Sequence, residues 1–157
     1  MAYETVKYSK TDDVVTIAFN RPESLESMTV RVGRDLYDAL CEAKLESRAT
    51  VVSTMGEEFC SGADLSEANF DFSSPCRDAG SGPEPIINPI LMQMRKYELP
   101  VITAVQGAAA RVGCGIALAG DVIVASEDAC FFQAFAKVGL VPDGGSTYLT
   151  ARAIGGP

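Results

Sequence analysis

The sequence predicts an α/β fold in which strand–helix units repeat around one core. Three observations predict it. β-Branched runs recur along the chain, at VVTIAF (Val14 to Phe19), Thr50 to Thr54, VITAVQ after Pro100 and Val122 to Ala125, which is the composition of buried strands. Stretches of helical period separate several of them. The 157 residues suit one domain with a sizeable core.

Each element has a local reason. Asn20-Arg21-Pro22 breaks the first strand. Thr29 can cap a helix from Val30 to about Leu45, with Val32, Leu36, Ala39, Leu40 and Ala43 on one face. Residues 68–85, rich in Ser, Gly, Pro and Asp, read as a mobile surface loop within the domain. Asn88 as N-cap and Pro89 at the first helical position start a second helix, with Ile90, Leu91, Met94 and Tyr97 on one side. Pro100 ends it before the strand VITAVQ. A short apolar helix opens at Gly113 and closes near Gly120. A short strand is expected at Cys130 to Gln133, and a last helix from Ser146 to Ile154 stops at Gly155-Gly156-Pro157.

Composition excludes several functions. There is no histidine, so histidine triads, histidine metal sites and histidine general bases are ruled out. Five cysteines (Cys41, Cys60, Cys76, Cys114 and Cys130) form no CxxC pair and read as reduced apolar residues, with no metal site. A net charge of −8 disfavours nucleic acid, and no apolar run is long enough to cross a membrane. The N-terminal MAYETVKYSK lacks a signal peptide's apolar stretch, which makes the cytoplasm the expected compartment.

Two glycine-flanked stretches carry the chemistry. In FCSGADL (Phe59 to Leu65), Gly62 lets the chain turn so that the Ala63 amide points outward. In QGAAARVGCG, the amide of Val112 or Gly113 lies at a helix entrance, where main-chain N–H groups have no helical partner. Two convergent amides can hold a thioester oxygen as it becomes an enolate, each worth about 3 kcal/mol in comparable sites. Asp143 in LVPDGGS is the candidate base, because Pro142, Gly144 and Gly145 fix its backbone and crowd it with apolar neighbours, which raises a carboxyl pKa. The same Pro-Asp-Gly is also an ordinary turn. Asp64 reads as a helix cap or a brace of its loop, Arg111 as an exposed snorkelling side chain, and Phe131, Phe132 and Phe135 as core, with Phe135 able to line an acyl pocket.

VVTIAFNRPESLESM, FCSGADL and PVITAVQGAAARVGCGIALAGDVIVASEDACFFQAFAKVGLVPDGGSTYL resemble the strand-then-NRP entry, first oxyanion loop and central signature of the crotonase (enoyl-CoA hydratase/isomerase) superfamily. The resemblance spans nearly the whole chain. It implies a ββα superhelix binding acyl-CoA thioesters, with coenzyme A part of the substrate and no separate cofactor. It implies an oxyanion hole from Ala63 and Val112, and a substrate site lined by Glu23, Ser24, Leu25, Ser61, Gly62, Asp64, Leu65, Gly113 and Phe135. Hydratases of the family carry glutamates where this chain has Gly115 and Phe135, whereas AFAKVGLVPDGG resembles double-bond isomerases that include the ring-modified phenylacetyl-CoA enzymes. The implied activity is therefore an isomerase of fatty acid metabolism type with Asp143 as the single proton shuttle. The alternatives are a non-catalytic module binding coenzyme A or a protein partner, and a hydratase. The chain departs from the pattern at Arg111 and Val112, where glycine or alanine is usual and where valine could distort the hole, and at Glu26, which replaces a common asparagine. It also ends before the family's C-terminal helices, which implies an N-terminal core only, exposed apolar surface and a weakened homotrimer.

Overall fold

The computed structural model describes residues 3–64, 66 and 84–155. A two-residue turn at Asp12 and Asp13, both at positive φ (47° and 62°), joins β1 (Val6–Thr11) to β2 (Val14–Phe19). Positive φ at both positions is the geometry of a tight hairpin that matches strand twist. From β2 onward the sheet is parallel: β3 (Ala49–Thr54), β4 (Val101–Val105) and β6 (Val122–Ala125) follow in the order β1-β2-β3-β4-β6. β5 (Ala108–Ala110) leaves the main sheet and pairs in parallel with β7 (Cys130–Phe132).

Helix α1 (Val30–Glu46) starts on Thr29, whose hydroxyl accepts the Val32 N–H at 3.1 Å. The stripe Val32, Leu36, Ala39, Leu40 and Ala43 is buried as the periodicity requires. It packs with Val15, Ile17, Phe19 and Val52 from the sheet, and Phe19 meets the Phe59 ring edge-on. Helix α2 (Glu84–Arg95) contributes Ile90, Leu91 and Met94 to the same core.

Three expectations need correction. α2 begins at Glu84, not at Pro89, which lies inside the helix. So near the helix start, Pro89 forfeits one main-chain bond, to the carbonyl four residues back, and the apolar face repays it. Glu84 and Pro85 are therefore helical, while the rest of the expected 68–85 loop lies outside the described residues. Phe131 (39% exposed) and Phe132 (42%) are not core, because β7 pairs only with the short β5 among the described residues. Val122, Ile123 and Val124 of the edge strand β6 are exposed as well.

Helix α3 (Val112–Leu118) opens one residue earlier than expected, and α4 (Ser146–Ile154) has the predicted bounds. These two pack on each other, bringing the carboxyl half of the chain back over the β5–α3 turn. Among the described residues no helix is long and apolar enough to cross a membrane.

Candidate active site

Three turns come together, one after β3, one after β5 and one between the 3₁₀ segment Ala134–Val138 and α4. The first, Phe59 to Asp64, is stitched to β5: Cys60 N–H donates to Ala108 O at 3.1 Å and Ala110 N–H to Cys60 O at 2.8 Å. Met28 then grips it on either side of Ala63. The Met28 N–H donates to Gly62 O at 2.8 Å and the Asp64 N–H to Met28 O at 2.9 Å. With both neighbours held and Gly62 at φ +105°, the Ala63 N–H has no acceptor among the described residues.

The second turn fixes Val112 in a parallel way. Arg111 donates its N–H to Phe132 O at 2.9 Å, and its carbonyl accepts Gly115 N–H at 3.3 Å. Val112, the first residue of α3, thus keeps a main-chain N–H without a helical partner. The two turns touch. A Cβ on Gly62 would lie 3.1 Å from Arg111 Cβ, and one on Gly113 would lie 2.4 Å from Cys60 O. Only glycine permits that approach.

Val112 itself is helical, a conformation open to valine. The awkward backbone belongs to Arg111, at φ 52°, ψ −120°, a region that costs a non-glycine residue about 1–3 kcal/mol. Nor is Arg111 a freely exposed side chain: it is half-buried, and its Nε is buried without a hydrogen-bond partner.

The third turn carries Asp143. Gly144 sits at φ +54° with Leu91 Cδ1, Ile87 Cγ2 and Val112 Cγ2 at 3.1, 3.5 and 3.6 Å from its Cβ position. Ser146 secures the turn from behind, its N–H donating to Asp143 O at 2.9 Å. The apolar crowding expected around Asp143 therefore falls on Gly144, and Asp143 is exposed as a residue. Partial burial of its carboxyl nevertheless raises the pKa above the ordinary aspartate value, against the opposing effect of its own N–H. No cation pairs with it among the described residues.

The remaining candidates divide by position. Leu25 is 57% exposed at φ 52°, and Glu23 and Ser24 lie beside it in the short 3₁₀ turn Pro22–Ser24. Ser61 joins this loop to the first turn, donating its N–H to Leu25 O at 3.1 Å. Asp64 is a brace, as its sequence position suggests. It accepts the Ser66 hydroxyl at 2.6 Å, the Ser27 hydroxyl at 2.9 Å and the Arg21 guanidinium at 3.4 Å. The Ser66 hydroxyl foremost, working against burial, brings its pKa to about 2. Leu65 lies outside the described residues. Phe135 is buried, 3% exposed.

Sequence reasoning missed two contributors. Met28 acts through main-chain atoms, which leave no trace in composition. Glu26, 2% exposed, receives the Arg21 N–H at 2.6 Å and so shapes the NRP loop from within. Its burial raises the carboxyl pKa, with the Arg21 N–H opposing. A cavity of about 510 Å³ opens beside it, lined by Leu25, Met55, Glu57, Glu58 and Gln106 among others. Ala63, Val112 and Asp143 do not line it, so it is separate from the amide donors.

A mostly parallel sheet feeding two main-chain turns through strand–helix units is the crotonase type of α/β fold. An enoyl-CoA hydratase from Mycobacterium avium subsp. paratuberculosis superimposes with a TM-score of 0.81 at 35% identity, over 96% of this chain and 56% of that one. The family model for enoyl-CoA hydratase/isomerase matches residues 9–156, and the chain belongs to that family. It is 38% identical over 144 residues to the Escherichia coli 1,2-epoxyphenylacetyl-CoA isomerase, covering 90% of this chain and 55% of that protein. It is 30% identical over 162 residues to the trans-2-decenoyl-[acyl-carrier-protein] isomerase of Streptococcus mutans, covering 99% and 60%. The chain thus spans well under two thirds of the length of these relatives.

Proposed function

We propose that the chain carries the core of an acyl-CoA double-bond isomerase. The Ala63 and Val112 amides hold the thioester oxygen as negative charge develops on it, which stabilises the enolate more than the starting ester. Asp143 takes a proton from the acyl chain and returns it at another carbon. Nothing is added to the substrate and nothing is lost. The carrying observation is the packing of Gly144, the residue after Asp143, against Val112, itself a proposed oxyanion donor.

Two features favour isomerisation over hydration. Gly115 and Phe135 supply no carboxylates at the positions where the resemblance puts the hydratase glutamates. Gly115 lies tightly against the Asp143 turn, with Gly144 O at 3.0 Å from its Cβ position, and Phe135 is buried. Two relatives are named isomerases, while others are named hydratases.

The test is migration of the double bond in a 3-enoyl-CoA by the full-length protein, beside the Asp143→Asn variant. Turnover should fall at least about a hundredfold in the variant. Turnover unaltered by the substitution would remove Asp143 as the base, and hydration of crotonyl-CoA at a comparable rate would replace isomerase with hydratase.

A further inference from the structure

Arg111 is costly in two ways that the fold does not repay. Its backbone occupies a conformation suited to glycine, and its Nε is buried with no acceptor. A buried donor on a charged group is destabilising unless something meets it. No carboxylate of the described residues pairs with it. Its stem runs along Gly62, with Cβ and Cδ 3.1 and 3.4 Å from the Cβ position there. That places the side chain against the turn that presents the Ala63 amide, and it directly precedes Val112.

A second cation lies nearby. Lys137 Nζ sits 4.9 Å from the centroid of the Phe132 ring, and Phe132 O is the acceptor of the Arg111 N–H. In a chain of net charge −8, an arginine that no carboxylate of the described residues engages is a local attraction for an anion. An arginine fork with free donors suits a carboxylate.

We propose that Arg111 selects an acyl thioester whose acyl chain bears a second carboxylate, that is, a coenzyme A monoester of a dicarboxylic acid. The inference rests on the acyl-thioester reading above. Its location argues for the acyl group over the coenzyme's phosphates: Arg111 adjoins both proposed donors to the thioester oxygen, while the phosphates lie at the far end of the pantetheine arm. The carboxylate meets the terminal nitrogens of the guanidinium, which no carboxylate of the described residues engages. The strained backbone then reads as a cost retained for binding.

The experiment is calorimetric binding of two non-reacting probes, adipoyl-CoA and hexanoyl-CoA, to the full-length protein and to Arg111→Gln and Arg111→Gly. The glycine variant relieves the positive φ, so it remains folded if the glutamine variant does not. The expected result is a preference of about tenfold or more for adipoyl-CoA, lost in both variants, with hexanoyl-CoA affinity nearly unchanged. Equal affinity for the two probes in the unsubstituted protein overturns the proposal while leaving the thioester site standing. Equal weakening of both probes by the substitutions also overturns it and makes Arg111 a general binding group. Failure of both probes to bind at all sinks the thioester reading along with it.

Discussion

The carbonyl oxygen of Gly144 lies 3.0 Å from the point where a Cβ on Gly115 would sit. Helix α3 and the Asp143 turn therefore approach each other tightly at residue 115. That contact bears on how near Asp143 comes to Val112, whose Cγ2 lies 3.6 Å from the Cβ position of Gly144.

Replacing Gly115 by alanine tests that packing. Alanine gains about 1 kcal/mol in a helix, while the tight contact costs about 1–3 kcal/mol. Net stability should change by less than about 2 kcal/mol by urea unfolding. Turnover should fall further, about tenfold to a hundredfold, because the base is displaced by part of an ångström. Equal retention of stability and of turnover would show that the turn adjusts freely.

Gly113→Ala should be more damaging. Its Cβ would lie 2.4 Å from Cys60 O and 2.7 Å from Cys60 Cβ, and a main-chain oxygen cannot swing aside. The two amide-bearing turns must part. A loss of about 3 kcal/mol is expected, read as a lower urea midpoint at unchanged slope, together with weaker thioester binding.

Asp64 gives a pH signature. Its folded pKa is about 2, below the value of an unfolded aspartate near 3.9. The ionised form is the one favoured by folding, so this contribution is fully present above about pH 4 and is lost as pH falls toward 2. Unfolding free energies measured across that window should decline less steeply in Asp64→Asn than in the unsubstituted protein. An identical slope would mean that Asp64 is not held by Ser66, Ser27 and Arg21.

Asp35 holds the first strand. Its Oδ2 accepts Glu4 N–H at 3.0 Å and both the Thr5 N–H and hydroxyl at 2.9 Å, while Arg31 Nε approaches Oδ1 at 3.0 Å. Asp35→Ala strands these donors in a site only 5% exposed. Destabilisation of about 3 kcal/mol is expected. Hydrogen exchange should quicken most in β1, and a uniform change along the chain would contradict this anchoring role.

Much of this was legible in the sequence, for identifiable reasons. The α1 stripe and the Thr29 cap follow from spacing alone, and FCSGADL and ARVGCG mark their turns through glycines whose need is steric. β1 is not legible that way: VKYSKT puts its charged and polar residues on an edge strand that is mostly exposed. The Asp12–Asp13 hairpin signal was there, without a glycine to announce it. Pro89 misleads because a proline one turn into a helix looks the same in sequence as a proline at its start. The exposure of Asp143 was hidden for a different reason. Which side of a Pro-Asp-Gly turn faces the core depends on Gly144 meeting Val112, a partner 32 residues away, and local sequence does not encode that.

Met28 has a longer consequence. It fixes Ala63 by main-chain atoms at both ends, so neither the thioether nor the alanine methyl determines where the donor points. Chemistry anchored in this manner can persist while its lettering changes, provided the bulk is kept. Descendants of such a scaffold are free to alter what surrounds this turn without rebuilding where its main-chain N–H points.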